Sequence, residues 1–478
     1  MDELAAVHRV VPTHSRIRAR EHGGRGSASL SFKRLCARER FSNFGRRCSL
    51  DTHDPNAPHH LRASLFRRRS KVVEMVAAGD VVFALTLSGV CAAFRGSERL
   101  CFVNVTPDEV IRSVFYNKVA QALITVSVYR EDNFSCLKCR STPIECIRRG
   151  RSDQGVPVFT SEQLRWPGFV EFDDVNAMVL TYDSAVGQQY RVWSMVDYEL
   201  LYSLPRASVT EVKISPGIML LIHAREGSYV PLKIVSIEDG TELKSFSHLI
   251  HRAKKVEFIE QFNEKLLVKQ EGENLEIVDV HSGGVVRVDQ TEFVTPSAFI
   301  FLYENNLFLT FRGRQVMVWN FAGEPVNVFE DHSLWHADTN TSNVFITSAQ
   351  DYIISYCRPR VARVVADSDD ASSQEGEASL LAATISDSDE SPSTEEAMTT
   401  PPHHDELTAV VRTGDGDTAD RPRRGAIHVS HILSGKCVAR LGDDANFDMG
   451  DVTAVHFSED RHELYVGNRD GLVHVWSQ

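Results

Sequence analysis

The sequence predicts an all-β fold, a β-propeller of eight blades, with seven blades as the alternative. From residue 70 onward, the 478-residue chain is a succession of short runs in which apolar residues alternate with polar ones. Such alternation is typical of half-buried antiparallel strands. The runs group in fours. Outside one long insertion they give about 43 residues per unit for eight units and about 49 for seven, where propeller blades of about 40–45 are known.

The last unit, residues 451–478, shows the pattern most clearly. It contains the runs VTAVHF, ELYVGN and LVHVW, and its second turn carries Asp470 followed by Gly471. Glycine is expected there because the turn needs a positive φ. The unit has only three strands, so we expect the N-terminal part of the chain to supply the fourth. Residues 61–66, in which Leu and Ala alternate with other residues, are predicted to pair with LVHVW.

Seven further units precede it. The first reads VVEMVAA, VVFALTLS, VCAAF and LCFVNV, and units two to six repeat this order, beginning at VIRSVFY, FVEFDDV, TEVKIS, KKVEFIEQF and SAFIFLYE. In the seventh unit, SNVFITS and YIISYC are separated from AIHVSHI and CVARL by the insertion. The long insertion is therefore predicted to lie in the penultimate blade.

The insertion, residues 359–424, is rich in Ser, Thr, Asp, Glu and Pro and has almost no aromatic residues. Such a segment buries too little apolar surface to offset its ordering entropy, so we expect a disordered acidic loop. Ser372, Ser386 and Ser393 each precede a carboxylate by three residues, and Ser391 precedes a proline. These four serines are candidate phosphorylation sites. A solvated spacer is the alternative.

The charge of the chain is unevenly distributed. Residues 1–71 carry 16 Lys and Arg against 6 Asp and Glu, whereas the whole chain has a net charge of −13. The compact basic cluster of Arg67, Arg68, Arg69 and Lys71 is a candidate contact for phosphates or an import receptor. Docking of this arm on the acidic body of the same chain is the alternative. Two acidic residues directly after Met1 argue against an organellar transit peptide.

The predicted domain organisation follows from these shifts in composition. It consists of a basic, largely disordered arm over residues 1–60, blades over 61–358, the acidic insertion over 359–424 and the closing blades over 425–478. Aromatic residues interleave with arginines in the arm, at Phe41 and Phe44 for example. Such interleaving can stack bases.

The order of a strand ending in Gly-Asn, an Asp-Gly turn and a strand ending in Val-Trp resembles the WD40 repeat. In that repeat the Trp packs between blades, and its N–H joins a relay to the turn Asp. Trp193, Trp319 and Trp476 each follow a Val, and Asp470 matches the turn position. The Gly-His expected before the first strand is missing from the last unit, and no Asp follows any of the three Trp. We therefore expect an incomplete relay and a structural role.

Longer blocks are similar to a green-lineage transducin/WD40 repeat-like family. They include SNFGRRCSLDTHDPNAPHH, VTPDEVIRSVFYNK, WPGFVEFDDVN, SPGIMLLIHAREGSYVPLKIVSIEDG and GNRDGLVHVW. The resemblance spans about residues 41–358 and 425–478. It implies the propeller fold and implies that residues 41–70 belong with it. It implies no established activity.

Motifs that carry chemistry give little support to an enzyme. The chain lacks a G-x-S-x-G elbow and a Gly-rich phosphate loop. Cys136 and Cys139 form a CxxC without the second pair that zinc requires, and the histidines at 53, 59, 60, 332 and 336 lack a fixed scaffold. We expect no catalytic, cofactor or metal residues and no small-molecule substrate.

The function that this sequence favours is a non-catalytic scaffold, a monomeric propeller binding other proteins in an intracellular complex. The alternative is a nucleic-acid-associated or nuclear factor that uses the basic arm. Nine cysteines without a signal peptide favour the cytoplasm or nucleus, with an organelle as the weaker alternative. No apolar run of membrane-spanning length occurs. The connectors at residues 248–252 and 330–335 are predicted rim contacts.

Overall fold

The computed structural model describes residues 41, 43–53, 70–134, 137–161, 170–183, 189–205, 208–329, 331–337, 341–358, 425–442 and 447–478. Within them, 32 strands form eight sheets of four antiparallel strands each. This confirms the all-β prediction and the count of eight blades. The described residues include the short α-helix α1 (Ile144–Arg148) and 3₁₀ turns at Ser152–Gln154 and Thr341–Asn343. No helix in these ranges has the length and apolarity to cross a bilayer.

The strands follow the chain order blade by blade. The first strand is β1 (Gly45–Asp51). Blade 1 contains β2 (Val72–Ala78), β3 (Val81–Thr86), β4 (Cys91–Arg95) and β5 (Glu98–Phe102); blade 2 contains β6 (Glu109–Asn117), β7 (Ala122–Tyr129), β8 (Leu137–Pro143) and β9 (Val156–Ser161). Blade 3 contains β10 (Val170–Asp173), β11 (Met178–Asp183), β12 (Gln189–Ser194) and β13 (Leu200–Pro205); blade 4 contains β14 (Val209–Ser215), β15 (Ile218–His223), β16 (Tyr229–Ser236) and β17 (Glu242–Leu249).

The second half repeats this arrangement. Blade 5 contains β18 (Val256–Phe262), β19 (Lys265–Gln270), β20 (Leu275–Asp279) and β21 (Val285–Val288); blade 6 contains β22 (Ala298–Leu302), β23 (Leu307–Arg312), β24 (Gln315–Asn320) and β25 (Pro325–Val328). Blade 7 contains β26 (Val344–Ile346), β27 (Tyr352–Cys357), β28 (Ala426–His431) and β29 (Cys437–Leu441); blade 8 contains β30 (Val452–Ser458), β31 (Glu463–Asn468) and β32 (Leu472–Ser477).

The burial of each strand explains its sequence pattern. The second strand of a blade, such as β3 or β23, is apolar on both faces because both faces pack on neighbouring strands and blades. Outer strands such as β17 alternate between exposed and half-buried side chains. In blade 2, β8 ends at Pro143, and α1 begins directly after it. The fixed φ of proline suits the residue before a helix.

Eight apolar clusters join the blades into a ring. Among the described residues, each cluster draws side chains from two consecutive blades, from blades 1 and 2 around to blades 8 and 1. The last of these brings Val72 and Met75 of blade 1 against Ala454 and Val473 of blade 8. Blade-to-blade burial of apolar surface therefore holds the ring closed.

Strand β1 closes the ring as the outer strand of blade 8, antiparallel to β32, with Leu50 opposite Val473. The Ser49 hydroxyl lies 2.8 Å from His474 Nδ1, and the Thr52 hydroxyl donates to the Gly471 carbonyl at 2.8 Å. The N-terminal part of the chain does supply the fourth strand. The expectation that residues 61–66 form it is wrong, because Gly45–Asp51 occupies the edge of β32.

Residues just before β1 are also part of the core. Phe41 and Phe44 are 1% and 8% exposed, and Phe41 packs on Tyr352 of blade 7 and Phe457 of blade 8. Buried rings cannot stack on bases, so the arm interpretation is wrong for these two residues. The propeller starts at or before Phe41, within the segment assigned to the arm.

The chain separates into two units, Met1–Pro359 with Arg424–Gln478, and Arg360–Arg423. The second unit lies outside the described residues. In the first, the strand direction reverses at every connection, so the links from second to third strand and from fourth strand to the next blade share one rim. We call this rim A and the opposite one rim B.

Candidate functional site

A groove of about 620 Å³ lies on rim A between blades 4 and 5. We call it the rim groove. Its lining includes Ser228, His248, Leu249, Arg252, Glu276 and Arg287. The segment from His248 to Arg252, predicted from loop position as a rim contact, forms one wall of this groove. A groove of this volume accommodates several side chains.

The guanidinium of Arg225 fixes one side of the groove. It donates to the carbonyls of His251 at 2.9 Å and Lys254 at 3.1 Å, and also to the carbonyl of Arg252. Three carbonyls of the connection between β17 and β18 thus share one cation. Because these bonds are charge-assisted, they hold the exposed connection in a single conformation.

Gln270, at the end of β19, holds the same connection from the other side. Its Oε1 accepts the His251 N–H at 2.7 Å, and its Nε2 donates to the carbonyls of His251 at 3.0 Å and Lys254 at 3.2 Å. The Gln270 side chain is buried, satisfies the His251 N–H and shares the two carbonyls with Arg225. The wall of the groove is therefore fixed by the residues beneath it.

Charged side chains cross the floor of the groove. The Glu276 carboxylate lies 2.9 Å from Arg287 Nε and 3.2 Å from His248 Nε2. Burial lowers the pKa of His248, and the Glu276 carboxylate opposes this shift. Glu273 pairs with Lys254 at 2.6 Å, and the hydrogen bond from Lys254 holds the pKa of Glu273 below its usual value. Both carboxylates of the groove are thus neutralised by cations of the same chain.

An apolar pair flanks these charges. Tyr229 and Leu249 are 49% and 61% exposed, and they lie opposite each other in the pairing of β16 with β17. Arg252 is exposed at the same wall. An exposed aromatic and an exposed leucine beside an arginine are the residue types that interfaces favour at their centres.

A second cavity, of about 460 Å³, lies between the inner strands of blades 7, 8, 1 and 2. Its wall includes Glu74, Arg112, Ser113 and His456. Burial raises the pKa of Glu74 to about 6, against a hydrogen bond from the Ser113 hydroxyl at 3.2 Å. Burial lowers the pKa of His456 to about 4. At neutral pH the His456 imidazole in this cavity is therefore neutral, and the Glu74 carboxyl group is mostly ionised.

The predicted tryptophans lie at the ends of third strands. Trp193 donates from Nε1 to the Thr181 hydroxyl at 2.8 Å, and Trp319 to the Thr310 hydroxyl at 2.9 Å. Trp476 is 6% exposed, and its buried Nε1 has no hydrogen-bond partner among the described residues. The three rings pack in the clusters between blades. Trp193 and Trp319 each make one hydrogen bond of the expected relay, the one to a threonine hydroxyl.

The predicted turn residues lie between β31 and β32. Asp470 is exposed, and its N–H donates to Asn468 Oδ1 at 3.0 Å. Gly471 has a φ of +71°, in the left-handed region where glycine is favoured. Asn468 Oδ1 also accepts the N–H of Leu472 at 3.0 Å. The turn is therefore stabilised by the Asn468 side chain.

His332 and Cys139 are core residues. His332 is 3% exposed, with Ser355 Oγ 2.6 Å from Nε2 and Ser430 Oγ 2.9 Å from Nδ1. Burial lowers its pKa to about 3, so the ring is neutral. His332 is not a rim contact, which corrects that part of the prediction for residues 330–335. Cys139 is 1% exposed, and burial raises its pKa to about 12.

Several predicted positions fall outside the described residues. They are Arg67, Arg68 and Arg69 of the basic cluster, Cys136 of the CxxC, and Ser372, Ser386, Ser391 and Ser393 of the insertion. Lys71 of the same cluster is described and exposed, just before β2. Sequence reasoning also missed Arg225 and Gln270. Arg225 begins an Arg-Glu-Gly just after β15, and Gln270 begins a Gln-Glu-Gly at the end of β19. Both lie where the second strand of a unit ends, a repeat position that a comparison of successive units could have found.

The eight four-stranded sheets and the apolar clusters that join them define an eight-bladed β-propeller. The chain belongs to a family known by a domain of unknown function (DUF7899), whose model matches residues 29–389. No curated protein matches the sequence significantly.

Two solved structures are similar at low identity. A computationally designed protein, Ika8, has a TM-score of 0.45 and 14% identity, with 86% of this chain and 97% of that chain covered. BamB from Moraxella catarrhalis has a TM-score of 0.42 and 12% identity, with 91% and 98% covered.

Proposed function

We propose that the chain is a non-catalytic scaffold that binds a segment of a partner protein in the rim groove. The exposed pair Tyr229 and Leu249 beside the fixed wall carries this proposal. The chain acts on this account as a monomeric propeller in an intracellular complex in the cytoplasm or nucleus. It needs no cofactor and no small-molecule substrate for that role.

Preorganisation supports the groove as the binding site. Arg225 and Gln270 fix the wall before any partner arrives, so association does not have to order the loop. Lower ordering cost leaves more of the contact energy as affinity. Residues on loops held by a rigid framework are also where binding sites concentrate.

The lining and its flank indicate what kind of segment binds. Leu249 in the lining and its cross-strand neighbour Tyr229, both exposed, suit an apolar side chain of the partner. The carboxylates of Glu273 and Glu276 are already paired with cations, whereas Arg252 lies exposed at the wall. We therefore propose a partner segment that combines an apolar anchor with an acidic residue.

Proximity labelling in native cells tests this proposal with two matched variants. Leu249→Asp places a charge in the groove, and Val196→Asp does so on rim B at a residue with the same exposure of 61%. We expect Leu249→Asp to reduce capture of a discrete partner on the order of tenfold or more, and Val196→Asp to leave it unchanged.

A third version, lacking residues 360–424, separates the propeller from the insertion. On the proposal, the same partners are captured without the insertion. Partners that depend on residues 360–424 and are indifferent to Leu249→Asp would overturn it.

A further inference from the structure

Blade 7 brings together three side chains that offer different ligand atoms. A carboxylate oxygen of Asp331, an imidazole nitrogen of His428 and the sulfur of Cys437 all lie within 4.8 Å of one another. Asp331 belongs to the connection from β25 to β26, His428 to β28, and Cys437 begins β29. The cluster lies far along the chain from the rim groove, on the face of blade 7 that packs toward blade 6.

The strands fix the orientation of His428. The residue is 2% exposed, and its Nδ1 lies 2.7 Å from the backbone carbonyl of Asp331. A carbonyl only accepts, so Nδ1 carries the proton and Nε2 carries the lone pair. Histidine ligands of metals are usually held in this way, by donation from the second ring nitrogen to a carbonyl or carboxylate.

Arg440 is the cation of this cluster in the structure. Its guanidinium contacts the Asp331 carboxylate, and Arg440 is the cross-strand partner of His428. The Arg440 side chain is 42% exposed, whereas that of Asp331 is 12% exposed. Because the arginine reaches in from solvent, it can leave Asp331 without disturbing the core.

We propose that Asp331, His428 and Cys437 bind Zn²⁺, which replaces Arg440 as the partner of the Asp331 carboxylate. One nitrogen, one sulfur and one oxygen ligand suit this borderline-soft ion, whereas Mg²⁺ and Ca²⁺ prefer oxygen alone. The thiol proton of Cys437 passes to solvent as the thiolate coordinates. Three protein ligands leave the fourth tetrahedral position for water or for a side chain of a partner.

The site has a consequence for the interrupted blade. The ion would tie β28 and β29, which follow residues 359–424, to the connection that precedes the blade. The long insertion separates the second strand of blade 7 from the third. A metal crosslink in this blade would therefore offset the entropy lost when the two ends of the insertion are brought together.

Spectroscopic titration with Co²⁺ as the probe tests the proposal on the reduced, full-length chain. We expect one ion per chain and a thiolate-to-metal charge-transfer band. Cys437→Ser should remove the band and weaken binding more than about 100-fold. The matched control is Cys101→Ser, another half-buried thiol that lies in blade 1, and it should keep both.

Arg440→Ala distinguishes a metal site from a structural ion pair. If the guanidinium competes with the ion for Asp331, its removal should tighten Co²⁺ binding about tenfold. If the cluster is only an ion pair, neither the original chain nor Arg440→Ala will show the band. That result, or a band that survives Cys437→Ser, would overturn the proposal.

Discussion

Gln270 holds His251 by both of its backbone groups, accepting from the N–H at 2.7 Å and donating to the carbonyl at 3.0 Å. One buried amide thereby sets the position of the connection that forms the wall of the rim groove. The relationship joins the end of a second strand in blade 5 to the link that leaves blade 4. The groove is consequently a product of how two blades meet.

Replacing Gln270 with Ala should loosen this wall. The substitution leaves the His251 N–H without its acceptor, while the carbonyls of His251 and Lys254 keep Arg225, at a cost of about 1–3 kcal/mol in the free energy of unfolding. Urea unfolding measures the loss, and amide hydrogen exchange should increase at residues 251–254. Gln290→Ala, at an exposed side chain just after the last strand of the same blade, is the control and should change neither. Unchanged exchange at residues 251–254 would contradict the role given to Gln270.

Replacing Leu50 with Ala should weaken ring closure. Leu50 is 3% exposed in β1 and packs in the cluster between blades 8 and 1. Truncating a buried leucine costs about 2–5 kcal/mol of unfolding free energy. Arg47→Ala in the same strand removes an exposed hydrogen bond to Ser477 and a charge near Glu463, and should cost less than about 1 kcal/mol. Equal effects of the two changes would argue that β1 does not close the ring.

Replacing Thr310 with Val should leave the indole of Trp319 without its acceptor. Both residues are buried, and the bond between them is 2.9 Å. We expect a loss of about 1–3 kcal/mol in denaturant unfolding, because valine keeps the shape but cannot accept a hydrogen bond. Thr106→Val, at an exposed threonine, should be nearly neutral. A neutral Thr310→Val would show that Trp319 is held by packing alone.

Glu74→Gln should change stability only at higher pH. Burial raises the pKa of Glu74 from 4.5 to about 6, so the folded chain binds this proton more tightly than the unfolded chain. The original protein therefore loses stability as pH rises from about 4.5 to about 6, by about 2 kcal/mol in all. The glutamine variant lacks this loss. Unfolding free energies should agree at pH 4, and the variant should be more stable at pH 7.5; a constant difference would contradict the assignment.

Local alternation was sufficient to predict the blades. Runs such as VVFALTLS and LVHVW match β3 and β32, because the side chains of each strand determine its burial separately. The closing strand could not be predicted in this way. GRRCSLD places only Cys48 and Leu50 toward the core among polar residues, and residues 61–66 alternate no less well. Which of the two segments forms the closing strand depends on its pairing with β32, over 400 residues away in the sequence.

The candidate sites depend on longer-range relationships still. Arg225 and Gln270 act on a connection that lies between them in the sequence, and neither belongs to a recognisable motif. Asp331 and His428 are separated by the insertion and meet only when β28 pairs with β27. Spacing rules that serve compact motifs cannot detect ligands brought together by a sheet.

Site-specific photo-crosslinking tests the central claim, that a partner protein binds in the rim groove. A photoreactive residue is placed at Leu249 on rim A or at Val196 on rim B, positions with equal exposure of 61%. We expect a discrete crosslinked protein from position 249 alone, and its loss when Arg252→Glu is added. Equal crosslinking from both positions, or crosslinking from position 196 alone, would contradict the account.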